Sequence, residues 1–272
     1  MALSRWPPYS PLPRIAPDGT VSEPLSGRYN ITCRPEEGGE GIQRAIRVCP
    51  EGGSILCLEG IYHVTRPLLI DRSVHLFGLG RAKLVGFVPP WGGDSMLETA
   101  APAATLSGLL ISNQAWEGSH TLLAVAGRLR LQGCHVTARP ENAIDALVAS
   151  CDAFLDVAGC KLRGGGGNGV TLGGGIAGAR VVHCEIQGFV RESGIRMLGS
   201  SSGPGSGDGA EAEAGAPAAD SPARVHVAGN TIRDCLKGVH LDADVGPSWR
   251  LGEGNAFANC AEGDVVDERT LI

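Results

Sequence analysis

Short segments in which apolar and polar residues alternate recur along the chain from about residue 104. In each segment, apolar residues stand two and four positions before a common anchor position and three positions after it. Strict alternation of this kind is typical of a strand with one buried face. Each unit therefore predicts two or three short strands joined by turns, with no room for a helix. The anchors are Gly108, Gly133, Gly159, His183, Gly229 and Gly254.

The anchors recur with one period. Their spacings are 25, 26, 24, 46 and 25 residues, and a second landmark at Gly169, Gly194, Gly238 and Gly263 recurs at 25, 44 and 25. Strands that return to the same position about every 25 residues predict a solenoid in which each coil stacks on the previous one. The fold class predicted is therefore all-β, a single-stranded parallel β-helix of about seven coils.

One interval in each series is longer than the others, because it contains an insertion. Residues 199–221 read GSSSGPGSGDGAEAEAGAPAADS, which offers little apolar surface to pack. Removing this stretch shortens the two long intervals to 23 and 21 residues, close to one period. We therefore expect a disordered loop that leaves the solenoid at a turn.

The position directly after the anchor carries a small set of residue types. An inward Asn at this bend can bond the backbone of the neighbouring coil, and Cys is a small buried substitute. A column of thiols that binds a metal or acts in redox chemistry is the alternative interpretation. The residues are Leu109, Cys134, Cys160, Cys184, Asn230 and Asn255.

The two ends of the chain depart from the repeat. Residues 1–38 predict a proline-rich N-terminal arm, and residues 39–272 the β-helix domain. Within GEGIQRAIRVC at residues 39–49, apolar residues at i, i+3, i+4 and i+7 predict a short amphipathic helix that caps the first coil. At the other end, Asp264 is expected where Val170, Ile195 and Val239 stand in earlier repeats.

Composition narrows the classes of function. Hydrophobic residues make up 43% of the chain and charged residues 19%, which excludes a disordered protein, and no apolar run is long enough to cross a membrane. The net charge of −6 and the scattered basic residues argue against a nucleic-acid partner. The nine cysteines form no C-x-x-C pair and no secretory signal is visible, so we expect reduced thiols, no cofactor, no metal site, and a cytoplasmic or nuclear location.

The segment that opens the solenoid resembles a known class. Ile42–Ile46, Gly53–Leu58, Gly60–Tyr62 and Ile70–Gly80 resemble the opening of right-handed parallel β-helix proteins of the pectin-lyase-like class. They are most similar to the carbohydrate-binding and sugar-hydrolase-like (CASH) repeats of some F-box proteins and of algal and protist repeat proteins. The resemblance implies a right-handed coil. It does not decide function, because the class contains both enzymes and binding scaffolds.

The outward positions are the place to look for catalysis. On a β-helix, a calcium-dependent lyase needs clustered carboxylates and a glycosidase needs a close Asp pair. The outward columns instead hold single carboxylates between cations, and the hydrolase motifs of the class are absent. We therefore expect a monomeric, non-enzymatic recognition scaffold. A protein is the expected partner, and a glycan is the second candidate. A polysaccharide lyase or glycoside hydrolase is the alternative.

The candidate binding site is an outward strip of charged residues. The residues of the strip alternate in sign along one column and continue on the next face. A sheet face that is simply solvated is the plainer interpretation. The strip comprises Arg130, Asp156, Arg180, Arg196 and His240.

Overall fold

A computed structural model describes residues 29–87, 95–114, 120–138, 147–149, 152–173, 176–199, 225–243, 245 and 249–271. Three parallel sheets run along the whole described chain, and each coil contributes one strand to each sheet. Strands are numbered in chain order. The first sheet contains β1 (Ile31–Cys33), β2 (Gly53–Cys57), β5 (Val74–Gly78), β8 (Ala104–Ser107), β11 (Gly127–Gln132), β14 (Ala153–Ala158), β17 (Gly178–Val182), β20 (Val225–Ala228) and β23 (Trp249–Leu251).

The second and third sheets are eight strands deep. The second sheet contains β3 (Gly60–Val64), β6 (Ala82–Gly86), β9 (Leu110–Asn113), β12 (His135–Thr137), β15 (Lys161–Arg163), β18 (Glu185–Gln187), β21 (Thr231–Arg233) and β24 (Ala256–Ala258). The third sheet contains β4 (Leu68–Ile70), β7 (Ser95–Thr99), β10 (His120–Ala124), β13 (Leu147–Ala149), β16 (Val170–Leu172), β19 (Ser193–Met197), β22 (Lys237–Leu241) and β25 (Gly263–Asp267).

These strands form a parallel β-solenoid, which confirms the predicted all-β fold class with one short helix near the N-terminus. The described strands make eight successive triplets, close to the seven coils predicted. The predicted column of Arg130, Asp156, Arg180 and His226 lies in register across β11, β14, β17 and β20. Apolar side chains on either side of this column point inward and fill a continuous core along the axis.

The anchor residues explain the period. Gly133 and Gly159 adopt positive φ angles of 58° and 61° at the turn between the first and second sheets. Glycine takes this left-handed conformation without the steric cost that a side chain adds. His183, which replaces glycine at the same turn, keeps the same geometry with φ at 53°.

The N-terminal end of the solenoid is covered by a helix, as predicted. Helix α1 (Gly38–Val48) buries Ile42, Ala45 and Ile46 against the first coil. Gln43 fixes its position, because its side-chain amide donates to the carbonyl of Leu69 at 3.0 Å and its side-chain oxygen accepts from the Leu69 amide at 2.8 Å. Within the described ranges no helix is long and apolar enough to cross a membrane.

The start of the solenoid differs from the expected boundary at residue 38. Ile31–Cys33 form β1, which pairs in parallel with β2 and extends the first sheet, and residues 35–37 form a 3-10 turn that leads into α1. The alternation of Ile31, Thr32 and Cys33 is too short to indicate a strand by itself, and the pairing with β2 supplies the missing stabilisation.

The expected insertion lies almost wholly outside the described residues, which stop at Gly199 and resume at Val225. The strands on either side keep the register that the period predicts: Val181 pairs with Val227, and Ile195 pairs with Val239.

The last coil is shifted by one residue from the expected register. Val265, and not Asp264, pairs with Val239, while Gly263 pairs with Lys237. The interval here is 26 residues, so the apolar side chain keeps the inward position and Asp264 falls beside it.

Candidate functional site

Three of the five residues of the predicted strip come together on the first sheet. Arg130 Nε lies 2.8 Å from Asp156 Oδ2, and Arg180 NH1 lies 3.2 Å from Asp156 Oδ1. The Asp156 side chain is only 8% exposed, and half of the Arg180 side chain faces solvent. One enclosed carboxylate is therefore shared by two cations, one on the preceding coil and one on the following coil.

A third arginine lies beside this group. Arg128, on the same strand as Arg130, places its guanidinium 4.3 Å from the ring centroid of Phe154. Arg250 continues the outward column after His226. The first sheet therefore carries more positive than negative charge along this part of the axis.

The second sheet holds a similar cluster around Glu185. Lys161 Nζ lies 3.2 Å from one oxygen of Glu185, while the guanidinium groups of Arg233 and Arg163 lie 2.9 Å and 3.6 Å from the other. Arg233 also donates to Gln187 at 2.8 Å. The hydrogen bond from Arg233, followed by that from Lys161, holds the pKa of Glu185 below its usual value.

The two clusters form one surface around a corner of the solenoid. Only Gly159 and Cys160 separate β14, which carries Asp156, from β15, which carries Lys161. We refer to the clusters together as the cationic surface, which has six basic and two acidic side chains on a chain of net charge −6. Its residues are Arg128, Arg130, Asp156, Lys161, Arg163, Arg180, Glu185 and Arg233.

The ring of His135 borders this surface. Burial, and then the nearby charges of Arg163 and Lys161, lower the pKa of His135. These effects favour the neutral form of the imidazole, so His135 adds little charge to the surface.

The other two residues of the predicted strip lie on the third sheet. Arg196 on β19 and His240 on β22 are register partners, and the predicted continuation of the strip is thus a separate group. Arg196 and His240 contact Glu192, Asp242 and Glu268, whereas Asp156 contacts Arg130 and Arg180. We refer to this group as the C-terminal cluster; it comprises Glu192, Arg196, Lys237, His240, Asp242 and Glu268.

The centre of the C-terminal cluster is the Nε2 atom of His240. It lies 2.8 Å from Glu268 Oε1, 3.3 Å from Lys237 Nζ and 3.8 Å from Asp242 Oδ1. The hydrogen bond with His240 lowers the pKa of Glu268. Arg196 faces the same Asp242 carboxylate at 3.3 Å.

The donor atoms of His240, Asp242 and Glu268 lie within 4.8 Å of one another, a spacing that suits a metal ion. Lys237 and Arg196 already occupy the positions where these carboxylates would meet a cation. A bound metal would have to displace both positive side chains, so the donor set is better described as an ion-pair network.

The column that follows the anchors is inward, as predicted. Asn230 Nδ2 donates to the Val181 carbonyl at 2.9 Å, and the Asn230 side-chain oxygen accepts from the Cys184 amide at 2.9 Å. Cys184 donates its thiol to Val182. The hydrogen bond with Cys134 raises the pKa of Cys160 to about 12. This thiol is therefore not a nucleophile at neutral pH.

Sequence reasoning placed only the five residues of the predicted strip in the candidate site and missed the other members of these clusters. Arg163 and Arg233 stand two residues after Lys161 and Thr231 on the same strands, so alternation along each strand could have found them. Glu268 follows β25 in a 3-10 turn outside the repeat, and no periodic signal points to it.

Comparisons with known proteins bear on the fold. A PL6 family alginate lyase shares 12% identity with a TM-score of 0.51, over 95% of this chain and 41% of the lyase. A pectin methylesterase in complex with a hexasaccharide shares 12% identity with a TM-score of 0.40, over 78% of this chain and 80% of the esterase. The chain thus spans less than half of the lyase. No family model and no curated protein matches it, so the finer resemblance to CASH repeats stays a prediction.

Proposed function

We propose that this β-helix recognises an acidic polysaccharide through the cationic surface. The observation that carries the proposal is the excess of basic side chains there: Glu185 is contacted by three cations and Asp156 by two. A chain whose overall charge is negative concentrates positive charge on two adjoining sheets. Such a surface attracts a polyanion even though the net charge of the whole chain is negative.

The geometry of the solenoid suits a chain polymer. Adjacent coils are about 4.8 Å apart, so register-paired side chains form a row parallel to the axis. Arg130 and Arg180 stand two coils apart in one row. Lys161 stands in a second row, on the neighbouring sheet. A polymer with a carboxylate on each sugar can meet several cations of one row. Guanidinium groups suit this role, because they bind carboxylates through two parallel hydrogen bonds.

The degree of exposure supports binding on the open face. Lys161 is 55% exposed, and Arg163, Arg180 and Arg233 are also substantially open to solvent. Each can turn from its internal carboxylate towards a ligand at little cost, because exposed ion pairs contribute only about 0–1 kcal/mol. With six basic and two acidic side chains, the surface keeps a net positive charge.

Affinity electrophoresis tests this proposal. The protein is run through gels containing alginate, polygalacturonate or an uncharged glucan. We expect retardation by the acidic polymers only. Equal mobility in all gels would contradict glycan recognition and would favour the protein partner that the F-box resemblance implies.

A second candidate function is cleavage of the same polymers at the C-terminal cluster. The observation that favours it is the pair of basic nitrogens, Lys237 Nζ and His240 Nε2, 3.3 Å apart beside Arg196. In β-elimination, a base removes the proton next to the uronate carboxylate while a cation stabilises the negative charge that develops. A C=C bond then forms as the neighbouring C–O glycosidic bond breaks, and the departing oxygen takes up a proton. The alginate lyase with the similar fold is an enzyme that acts on such a polymer.

Ultraviolet absorbance separates the two candidates, because elimination creates an unsaturated sugar that absorbs. Absorbance that increases with the parent protein and not with Lys237→Ala would support the lyase. Retardation in the gel without any increase in absorbance would support binding alone.

A further inference from the structure

An exposed apolar group lies at the N-terminal end of the second sheet, apart from the cationic surface. The side chains of Ile61 on β3 and of Phe87, directly after β6, are 52% and 51% exposed. His63 shares the outward face of β3 with Ile61, because residues two apart on a strand point the same way. The centroids of the His63 and Phe87 rings are 6.2 Å apart, and the ring planes are tilted by 32°. We refer to Ile61, His63 and Phe87 as the apolar patch.

A row of outward side chains leads from the apolar patch to the cationic surface. Each member is the register partner of the next, on the successive strands β3, β6, β9, β12 and β15. Both end members are exposed and the three between them are partly exposed, so no step of the row is closed to solvent. Coils about 4.8 Å apart give the row a length of roughly 19 Å. We refer to it as the axial row, which comprises Ile61, Lys83, Leu110, His135 and Lys161.

The axial row alternates apolar and basic side chains. Lys83 lies between Ile61 and Leu110. The ring of His135 lies between Leu110 and Lys161. A uronate sugar carries the complementary features, because a carboxylate projects from the edge of its ring and C–H groups cover the ring faces. A chain of such sugars along the row can bring carboxylates to the lysines and lay C–H faces on the apolar side chains, which removes apolar surface from water.

The strands beneath this row bring no acidic side chain to it before the cationic surface begins. β3, β6, β9 and β12 contain neither Asp nor Glu. Within the described residues Lys83 forms no salt bridge, whereas Lys161 contacts Glu185. Burial first, and then nearby cations that include Lys83, lower the pKa of His135, so the charge of Lys83 reaches the border of the cationic surface. A polyanion that extends from the cationic surface along the row therefore meets a further cation and no repelling charge from these strands.

The backbone edge of β3 is covered, so the apolar patch does not suit a strand from a partner protein. β3 is the last strand of the second sheet at this end, and α1 and the 3-10 turn at residues 35–37 pack against it. A Cβ atom added at Gly39 of α1 would lie 3.3 Å from the carbonyl oxygen of His63. A ligand here contacts outward side chains only, and a sugar ring does so without pairing backbone groups.

We propose that an acidic polysaccharide bound at the cationic surface continues along the axial row and lays a sugar ring on the apolar patch. The inference rests on the proposed function, and it adds a path parallel to the solenoid axis and a contact that is not ionic. The ligand class that fits is an unbranched uronate polymer, since only a chain spans the roughly 19 Å between Ile61 and Lys161. Phe87 and His63 supply the ring contact, and Lys83 supplies a carboxylate contact between the two ends.

Titration calorimetry with alginate at several salt concentrations tests the apolar end of the path. Phe87→Ala is expected to weaken binding about three-fold or more, because the ring contact is lost. The dependence of the affinity on salt should stay that of the parent protein, since no charge is removed. Phe87→Trp keeps a ring and should retain the affinity. The control is Val48→Ala, at an exposed apolar residue of α1 outside the row, which should change the affinity by less than about two-fold.

Lys83→Ala and Arg81→Ala form a matched pair for the middle of the path. Both remove one cation, but Arg81 lies in the turn before β6 and not in the axial row. Lys83→Ala is expected to weaken alginate binding about three-fold or more and to reduce its dependence on salt. Arg81→Ala should change the affinity by less than about two-fold. Equal losses in the two variants would overturn the path, because they would show a general effect of charge and no contact along the row.

Tryptophan fluorescence of Phe87→Trp covers the case in which an alanine variant fails to fold. Compared with that of the parent, its emission is expected to shift to shorter wavelength as alginate binds, because a sugar ring excludes water from the indole. Alginate binding without this shift, or with no loss in Phe87→Ala, would overturn the path and leave recognition at the cationic surface standing. No binding of alginate by the parent protein would overturn both.

Discussion

The side-chain amide of Asn230 donates a hydrogen bond to the carbonyl oxygen of Val181, 2.9 Å away on the preceding coil. The Asn230 backbone amide in turn donates to Asn255 Oδ1 at 3.1 Å, so two asparagines tie together the three successive coils that contain β17, β20 and β23. Asn230 is fully buried, and removal of its side chain takes a partner from the Cys184 amide and from the Val181 carbonyl of the preceding coil.

We therefore expect Asn230→Ala to destabilise the fold by about 1–3 kcal/mol, the usual cost of unsatisfied buried polar groups. Cys160→Val at the equivalent position of an earlier coil is the matched control. It should cost less than about 1 kcal/mol, because the thiol contributes mainly packing. Urea denaturation measures both. A larger loss for Cys160→Val than for Asn230→Ala would show that the ladder does not stabilise the stack.

The turns between the first and second sheets give a second prediction. Gly159 adopts a φ of 61°, and a Cβ atom added there would meet nothing within 4 Å. Gly159→Ala should therefore cost about 1 kcal/mol through backbone strain alone. His183→Gly, the reverse change at the same turn of the next coil, should be neutral or stabilising by up to about 1 kcal/mol. A stabilising Gly159→Ala together with a destabilising His183→Gly in thermal unfolding would contradict the role given to the left-handed turn.

These turns also explain how much of the fold could be predicted. Glycine at a left-handed turn and alternation on either side are local constraints, and they repeat, so the period and the Arg130–Asp156–Arg180 register could be predicted from the sequence. The last coil could not, because a one-residue change in spacing moves Val265 into the inward position that Asp264 was expected to occupy. Contacts made from outside the repeat, such as that of Glu268 with His240, have no periodic signal at all.

The charge of Glu185 leads to a prediction about affinity. Glu185→Gln removes one of the two carboxylates of the cationic surface and leaves its cations in place. Binding to alginate should tighten about two- to five-fold, since a partly exposed charge contributes about 0.5–1 kcal/mol. Glu51→Gln, a change of the same charge near the N-terminal end, serves as the control and should have no effect. Titration calorimetry at low salt measures the affinity, and weaker binding by Glu185→Gln would contradict the proposed role of the surface.

The same carboxylate makes stability depend on pH. Arg233 and Lys161 hold the pKa of Glu185 below its usual 4.5, so the unfolded chain binds more protons than the folded chain as the pH falls. The stabilisation is therefore present above about pH 4.5 and is lost as the pH falls through the lowered pKa. The difference in melting temperature between the parent and Glu185→Gln should shrink between about pH 5 and pH 3. A difference that grows on acidification would show that the ion pairs are not formed.

The central claim is that Lys161, Arg163 and the neighbouring basic residues bind a polyanion. The most direct measurement is the affinity for alginate at several salt concentrations. It compares the parent protein with the double variant Lys161→Ala/Arg163→Ala. The control is Arg47→Ala/Arg81→Ala, which removes two exposed cations elsewhere on the chain. We expect the affinity of the parent protein to fall as the salt concentration rises. The affinity should fall about ten-fold or more in Lys161→Ala/Arg163→Ala and change by less than about two-fold in the control. Equal losses in both double variants, or no binding by the parent protein, would contradict this claim.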